Sequence, residues 1–153
     1  MKALAAVTAA TAAAFVGLLG VAPAWADPAA ADPGGNGYSP PFIDHTEWAQ
    51  VGGLASLRVY PSPSGRGAAR QPGSAALQSE QADEAWAEVL ALSPDADTAG
   101  MRAQFICHWQ FAELVQPGKP SWNLEPWRPV VDDSEMIASG CNPGGSSSPE
   151  GPF

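Results

Sequence analysis

Proline and glycine interrupt this chain so often that it can hold only short elements. There are 16 of each among 153 residues, roughly a fifth of the chain and well above ordinary usage. Gly52-Gly53 marks a turn, Pro94, Pro117-Gly118 and Pro126 each close a segment, and Gly140 stands where a helix would end. A large core is excluded, and irregular segments are expected between the elements.

The first segment reads as an export leader. Lys2 precedes a mostly apolar run from Ala3 to Val21, and Ala24-Trp25-Ala26 is a small-x-small cleavage pattern. A membrane anchor is the competing reading, because the run approaches spanning length. Gly17 and Gly20 weaken a lasting helix there, so cleavage after Ala26 is expected, with no span left afterwards. The whole chain carries 7 Lys and Arg against 16 Asp and Glu, a formal charge of −9. Losing Lys2 makes it one unit more negative. Such a balance argues against nucleic acid as a partner and against adhesion to anionic lipid.

The organisation expected is a leader at 1–26, a disordered Pro/Gly linker at 27–41, a folded domain at 42–141 and a disordered tail at 142–153. Linker and tail offer no apolar face to offset ordering entropy. Residues 42–48 and 57–60 read as strands around the Gly52-Gly53 turn. Residues 61–74 read as a long surface loop. A helix is expected over 79–92, capped by Ser79, with Ala82, Ala85, Trp86, Val89 and Leu90 on one stripe. Glu84 and Glu88 read as its solvated face. A second helix follows from about residue 98, with Met101, Phe105, Trp109 and Ala112 on one side. An extended reading also fits residues 105–111. Residues 122–125 read as a strand, and 132–140 as a short helix. The fold class expected is α+β, with two to three short helices on one face of a small antiparallel sheet of two or three strands, stapled by a disulfide.

Cys107 and Cys141 are the two cysteines. In an oxidising compartment such a pair bridges, and closing that loop is worth roughly 4 kcal/mol in the chain-entropy account. The spacing is not the C-x-x-C of a redox pair. A zinc site would need both cysteines with His45 and His108, but Cys107 and His108 are adjacent and diverge by about 100 degrees on a helix. No metal or cofactor is therefore expected.

Several strings in this order carry a resemblance: Ile43-Asp44-His45-Thr46-Glu47-Trp48, Leu57-Arg58-Val59-Tyr60-Pro61, Cys107-His108-Trp109, Trp122-Asn123-Leu124-Glu125-Pro126-Trp127-Arg128-Pro129 and Cys141-Asn142-Pro143. Together they resemble a family of small secreted actinobacterial proteins of mycobacterial type, a domain of unknown function. The likeness covers residues 42–143, and WNLEPWRP is its most specific part. It implies export and one domain, and it implies no activity or catalytic residue.

Residue chemistry offers three constellations. His45 with Glu47 or Asp44, and His108 elsewhere, are material for acid–base work. No G-x-S-x-G or H-E-x-x-H motif accompanies them, and structural histidines are the simpler reading. Trp122 and Trp127 flank Asn123, Glu125 and Arg128, a set suited to a sugar ring or an extended peptide. The competing reading makes both indoles scaffold. Arg128 beside Glu125 is either a structural ion pair or a receptor for a carboxylate. The function expected is a secreted, non-catalytic binding or interaction module of the cell envelope or extracellular space. Envelope glycan, peptide or another exported protein would be its partner. A small envelope hydrolase using His45 with Glu47 or Asp44 is the alternative.

Overall fold

A computed structural model describes residues 37–71 and 73–145. The expected leader, most of the linker and most of the tail lie outside the described residues. Within them the fold is α+β, built on a three-stranded antiparallel sheet in the order β1-β2-β3. The strands are β1 (Ile43–Val51), β2 (Leu54–Pro61) and β3 (Trp122–Leu124). The helices described are α1 (Pro63–Arg70), α2 (Ala75–Leu92), α3 (Met101–Val115) and α4 (Asp133–Ala138), with a 3-10 turn at Pro94–Ala96.

Gly52 and Gly53 adopt φ of 60° and 83°. Two residues with positive φ make the tight turn whose twist matches a hairpin. The turn fixes the register, pairing Val51 with Leu54, Glu47 with Arg58 and His45 with Tyr60. Leu57, Val59, Trp122 and Leu124 then share the inner face and are fully buried. The predicted stripe of α3 meets them, and Phe105 and Trp109 lie 6.1 Å from Trp122 between ring centres. Residues 105–111 are helical, because this stripe has a flat apolar partner to cover.

Three expectations are corrected. Most of the stretch expected to be a loop at 61–74 is helix α1. Ser62 caps it, accepting the Gly65 N–H at 3.0 Å, and Pro63 supplies the first turn. Its glycines serve close approach: a Cβ on Gly65 would sit 2.1 Å from the Phe42 carbonyl oxygen. Helix α2 starts at Ala75, capped by Ser74 rather than Ser79. Its Glu88 is not simply solvated, because Oε2 accepts the backbone N–H groups of Phe42 and Ile43, both at 2.7 Å. The carboxylate thereby ties α2 to the start of β1. Tyr38 packs on the core, and Arg128 donates to the carbonyls of Pro143 and Gly145.

Candidate functional site

The outer face of the sheet holds His45, Glu47 and the bulged Asp44, three of the acid–base residues that the sequence singled out. The register between β1 and β2 shifts by one residue between Ile43 and His45. This bulge displaces Asp44 from strict alternation and lets its Oδ2 reach His45 Nδ1 at 2.6 Å. Both side chains are more than half exposed, 54% for His45 and 68% for Asp44. The His45 ring stacks on Tyr60, its partner across the hairpin, at 4.0 Å and 12°. The Tyr60 hydroxyl donates to Glu47 Oε2 at 3.3 Å. Asp44, His45, Tyr60 and Glu47 are thus joined side chain to side chain on one surface.

Arg58 lies at the middle of that face, opposite Glu47 on β1 and Asn123 on β3. It is half-buried, and its Nε is buried with no hydrogen-bond partner. Ser56 lies two residues away on the same face. It is fully buried, and its hydroxyl is likewise unpartnered. Sequence reading passed over Arg58, Tyr60 and Ser56. The signal was available, because a two-residue Gly-Gly turn sets which residues of β1 and β2 oppose each other.

The WNLEPWRP segment divides between scaffold and surface. Trp122 is 0% exposed and belongs to the core. Asn123 is buried and accepts the Ser121 hydroxyl at 3.0 Å. Glu125 and Arg128 are buried and joined as an ion pair. Trp127 alone of the two indoles reaches solvent in part. It donates its Nε1–H to the Ala55 carbonyl at 3.1 Å, and Arg128 Cζ lies 4.6 Å above its ring.

His108 belongs to another part of the molecule. It lies on α3, 1% exposed, with Nε2 at 3.2 Å from the Asn123 carbonyl oxygen. A carbonyl only accepts, so Nε2 carries the proton and Nδ1 is a buried acceptor without a partner. Burial lowers its pKa from 6.5 to about 3, helped by the positive charges of Lys119 and Arg128 and opposed by the bond to Asn123. His108 is therefore neutral near pH 7. One turn earlier, the Gln104 amide donates to the Glu125 carbonyl at 3.0 Å and accepts the Glu125 N–H at 2.9 Å. Gln104 and His108 together cover the outer edge of β3, which would otherwise offer unpaired backbone groups.

One cavity among the described residues lies away from this face. A groove of about 540 Å³ between α3 and α4 is lined by Arg102, Gln110, Asp133, Ile106 and Met136. Among the described residues, no group of three or more His, Cys, Asp or Glu side chains is arranged to hold a metal. No helix among them is long and apolar enough to cross a membrane. Cys107 and Cys141 are bridged.

Compared with known proteins, the chain matches the family described as "Protein of unknown function (DUF2599)" over residues 43–144. Uncharacterized protein Rv0477 of Mycobacterium tuberculosis (strain H37Rv) and uncharacterized protein Mb0487 of Mycobacterium bovis are each 67% identical over 159 aligned positions. Each alignment covers 100% of this chain and 100% of the relative. Uncharacterized protein ML2452 of Mycobacterium leprae is 61% identical over 107 positions, 70% of this chain and 83% of the relative. No solved structure matches.

Proposed function

The chain belongs to the family of proteins of unknown function DUF2599, and on that premise we propose that it is an exported, non-catalytic binding module of the cell envelope or extracellular space. The leader pattern around Lys2 and Ala24-Trp25-Ala26 supports export. So does the Cys107–Cys141 bridge, which persists in oxidising surroundings. One observation carries the binding reading. The open sheet face presents Asp44, His45, Tyr60 and Glu47 already held against one another by hydrogen bonds and a ring stack. Side chains fixed before a ligand arrives lose less entropy on binding. Envelope glycan, peptide or another exported protein is the partner class.

The test uses the secreted protein and insoluble cell-wall material from a mycobacterium. N-terminal sequencing of the exported form should start at Asp27. The protein should co-sediment with the wall, and Tyr60→Ala and Glu47→Gln should weaken this at unchanged melting temperature. Equal co-sedimentation of all three proteins would remove the open face from consideration.

The Asp44–His45 bond favours one other reading, a hydrolase. Asp44 holds Nδ1 and leaves Nε2 free to act as a base on water. Soluble fragments released from the same wall material by the parent protein, and not by His45→Ala, would replace the binding reading with this one.

A further inference from the structure

Arg58 is a half-buried cation on the outer face, between exposed Glu47 and buried Asn123, and no hydrogen bond or ion pair within the described residues reaches its guanidinium. Its Nε is buried, so the Nη pair is the end left for solvent or a ligand. Burying part of a charged group without a partner is costly. A ligand carboxylate on the Nη pair would supply a counter-charge to a guanidinium that has none among the described residues.

The surroundings narrow what the ligand can be. Glu47 stands directly across the hairpin from Arg58, yet it accepts from Tyr60 instead. A bulged Asp44 adds a second carboxylate beside His45. A bare anion such as phosphate would meet these two negative charges and a chain of net charge −9. A neutral sugar would leave the guanidinium without its counter-charge. Arg58 and Glu47 are cross-strand partners, so this face offers opposite charges on neighbouring strands. That is the pattern of a small zwitterion with a carboxylate and an ammonium group close together.

We propose that this face binds an amino acid or short peptide as a zwitterion. Arg58 takes the carboxylate through its two Nη groups, in the planar two-point geometry that guanidinium favours. Glu47 takes the ammonium, and the stacked His45 and Tyr60 rings line the side on which a ligand side chain lies. The proposal rests on the open face being the ligand surface, and it adds the ligand class.

The experiment is an NMR titration of the isotope-labelled secreted protein with four probes: alanyl-alanine, its C-terminal amide, its N-acetyl form and inorganic phosphate. Alanyl-alanine should move the signals of Glu47, Arg58 and Tyr60 to saturation in the millimolar range. The amide should bind at least tenfold more weakly, and so should phosphate. Arg58→Gln should lose the dipeptide at least tenfold, and Glu47→Gln should narrow the gap between the dipeptide and its N-acetyl form. Should Arg58→Gln fail to fold, the acid-against-amide comparison on the parent protein still decides. Equal binding of acid and amide overturns the proposal, as does no saturable shift with the dipeptide. Phosphate binding as well as the dipeptide overturns it too, by making Arg58 a simple anion site. If the dipeptide fails while Tyr60→Ala still weakens wall binding, the ligand class falls and the open face stands. If both fail, the face falls as well.

Discussion

Two buried charged or titratable side chains carry measurable consequences. Glu113 is 1% exposed on α3 and receives Arg66 at 2.5 Å and Arg70 at 3.1 Å, with the Gly118 N–H at 3.2 Å. Glu113→Gln would leave two arginines facing a neutral amide. Arg70 is half exposed and can turn to water, so the expected loss is about 2–3 kcal/mol, below the range for a fully buried pair. Urea unfolding measures it. His108 sets a pH dependence. Its folded pKa, about 3, lies below its unfolded value of 6.5, so the unfolded chain binds the extra proton first. Stability is therefore full above pH 6.5 and falls as the pH drops towards 3, by up to a few kcal/mol. Asp132, whose carboxyl is lowered by accepting the Glu135 N–H, pushes in the same direction. His108→Gln, which keeps a donor for Asn123, should flatten the melting-temperature profile between pH 6.5 and 3.

The elements divide by how their signals are written. The α3 stripe was readable because Met101, Phe105 and Trp109 recur at helical spacing, and all three are buried. The polar pair Gln104 and His108 on the same helix was not readable, because its partner is the backbone of a strand distant in sequence. Helix α1 was misread because Gly65, Gly67, Ala68 and Ala69 look like a flexible run, while small size is what lets this helix approach Phe42 and Tyr38. Gly65→Ala should therefore destabilise despite a helix-propensity gain of about 1 kcal/mol. The methyl meets a backbone carbonyl, and a net loss of about 1–3 kcal/mol is expected from overpacking. Gly67→Ala meets a side chain first, the Tyr38 ring, rather than a backbone carbonyl, so its loss should be smaller. Urea midpoints of the two variants rank them.

At the scale of the whole molecule, the Cys107–Cys141 bridge spans a sequence separation of 34 and ties α3 to the chain just beyond α4. Apart from it, α4 is held chiefly by Met136, its one buried residue, packed beside the bridge. Reduction should lower global stability by roughly 4 kcal/mol on the loop-entropy estimate, and hydrogen exchange should show α4 losing protection before the sheet does. Unchanged protection in α4 after reduction would show that packing alone retains it. The sequence by itself determined the α+β class, the hairpin turn, the apolar stripe of α3 and the cysteine pair, because periodicity and turn chemistry are local and written in consecutive residues. Only the tertiary structure decided that Trp122 and Arg128 are buried, that Glu88 and Glu113 hold elements together, and that Arg58 stands unpartnered. Burial and partnership depend on groups far apart in sequence, and no local pattern records which of them will meet.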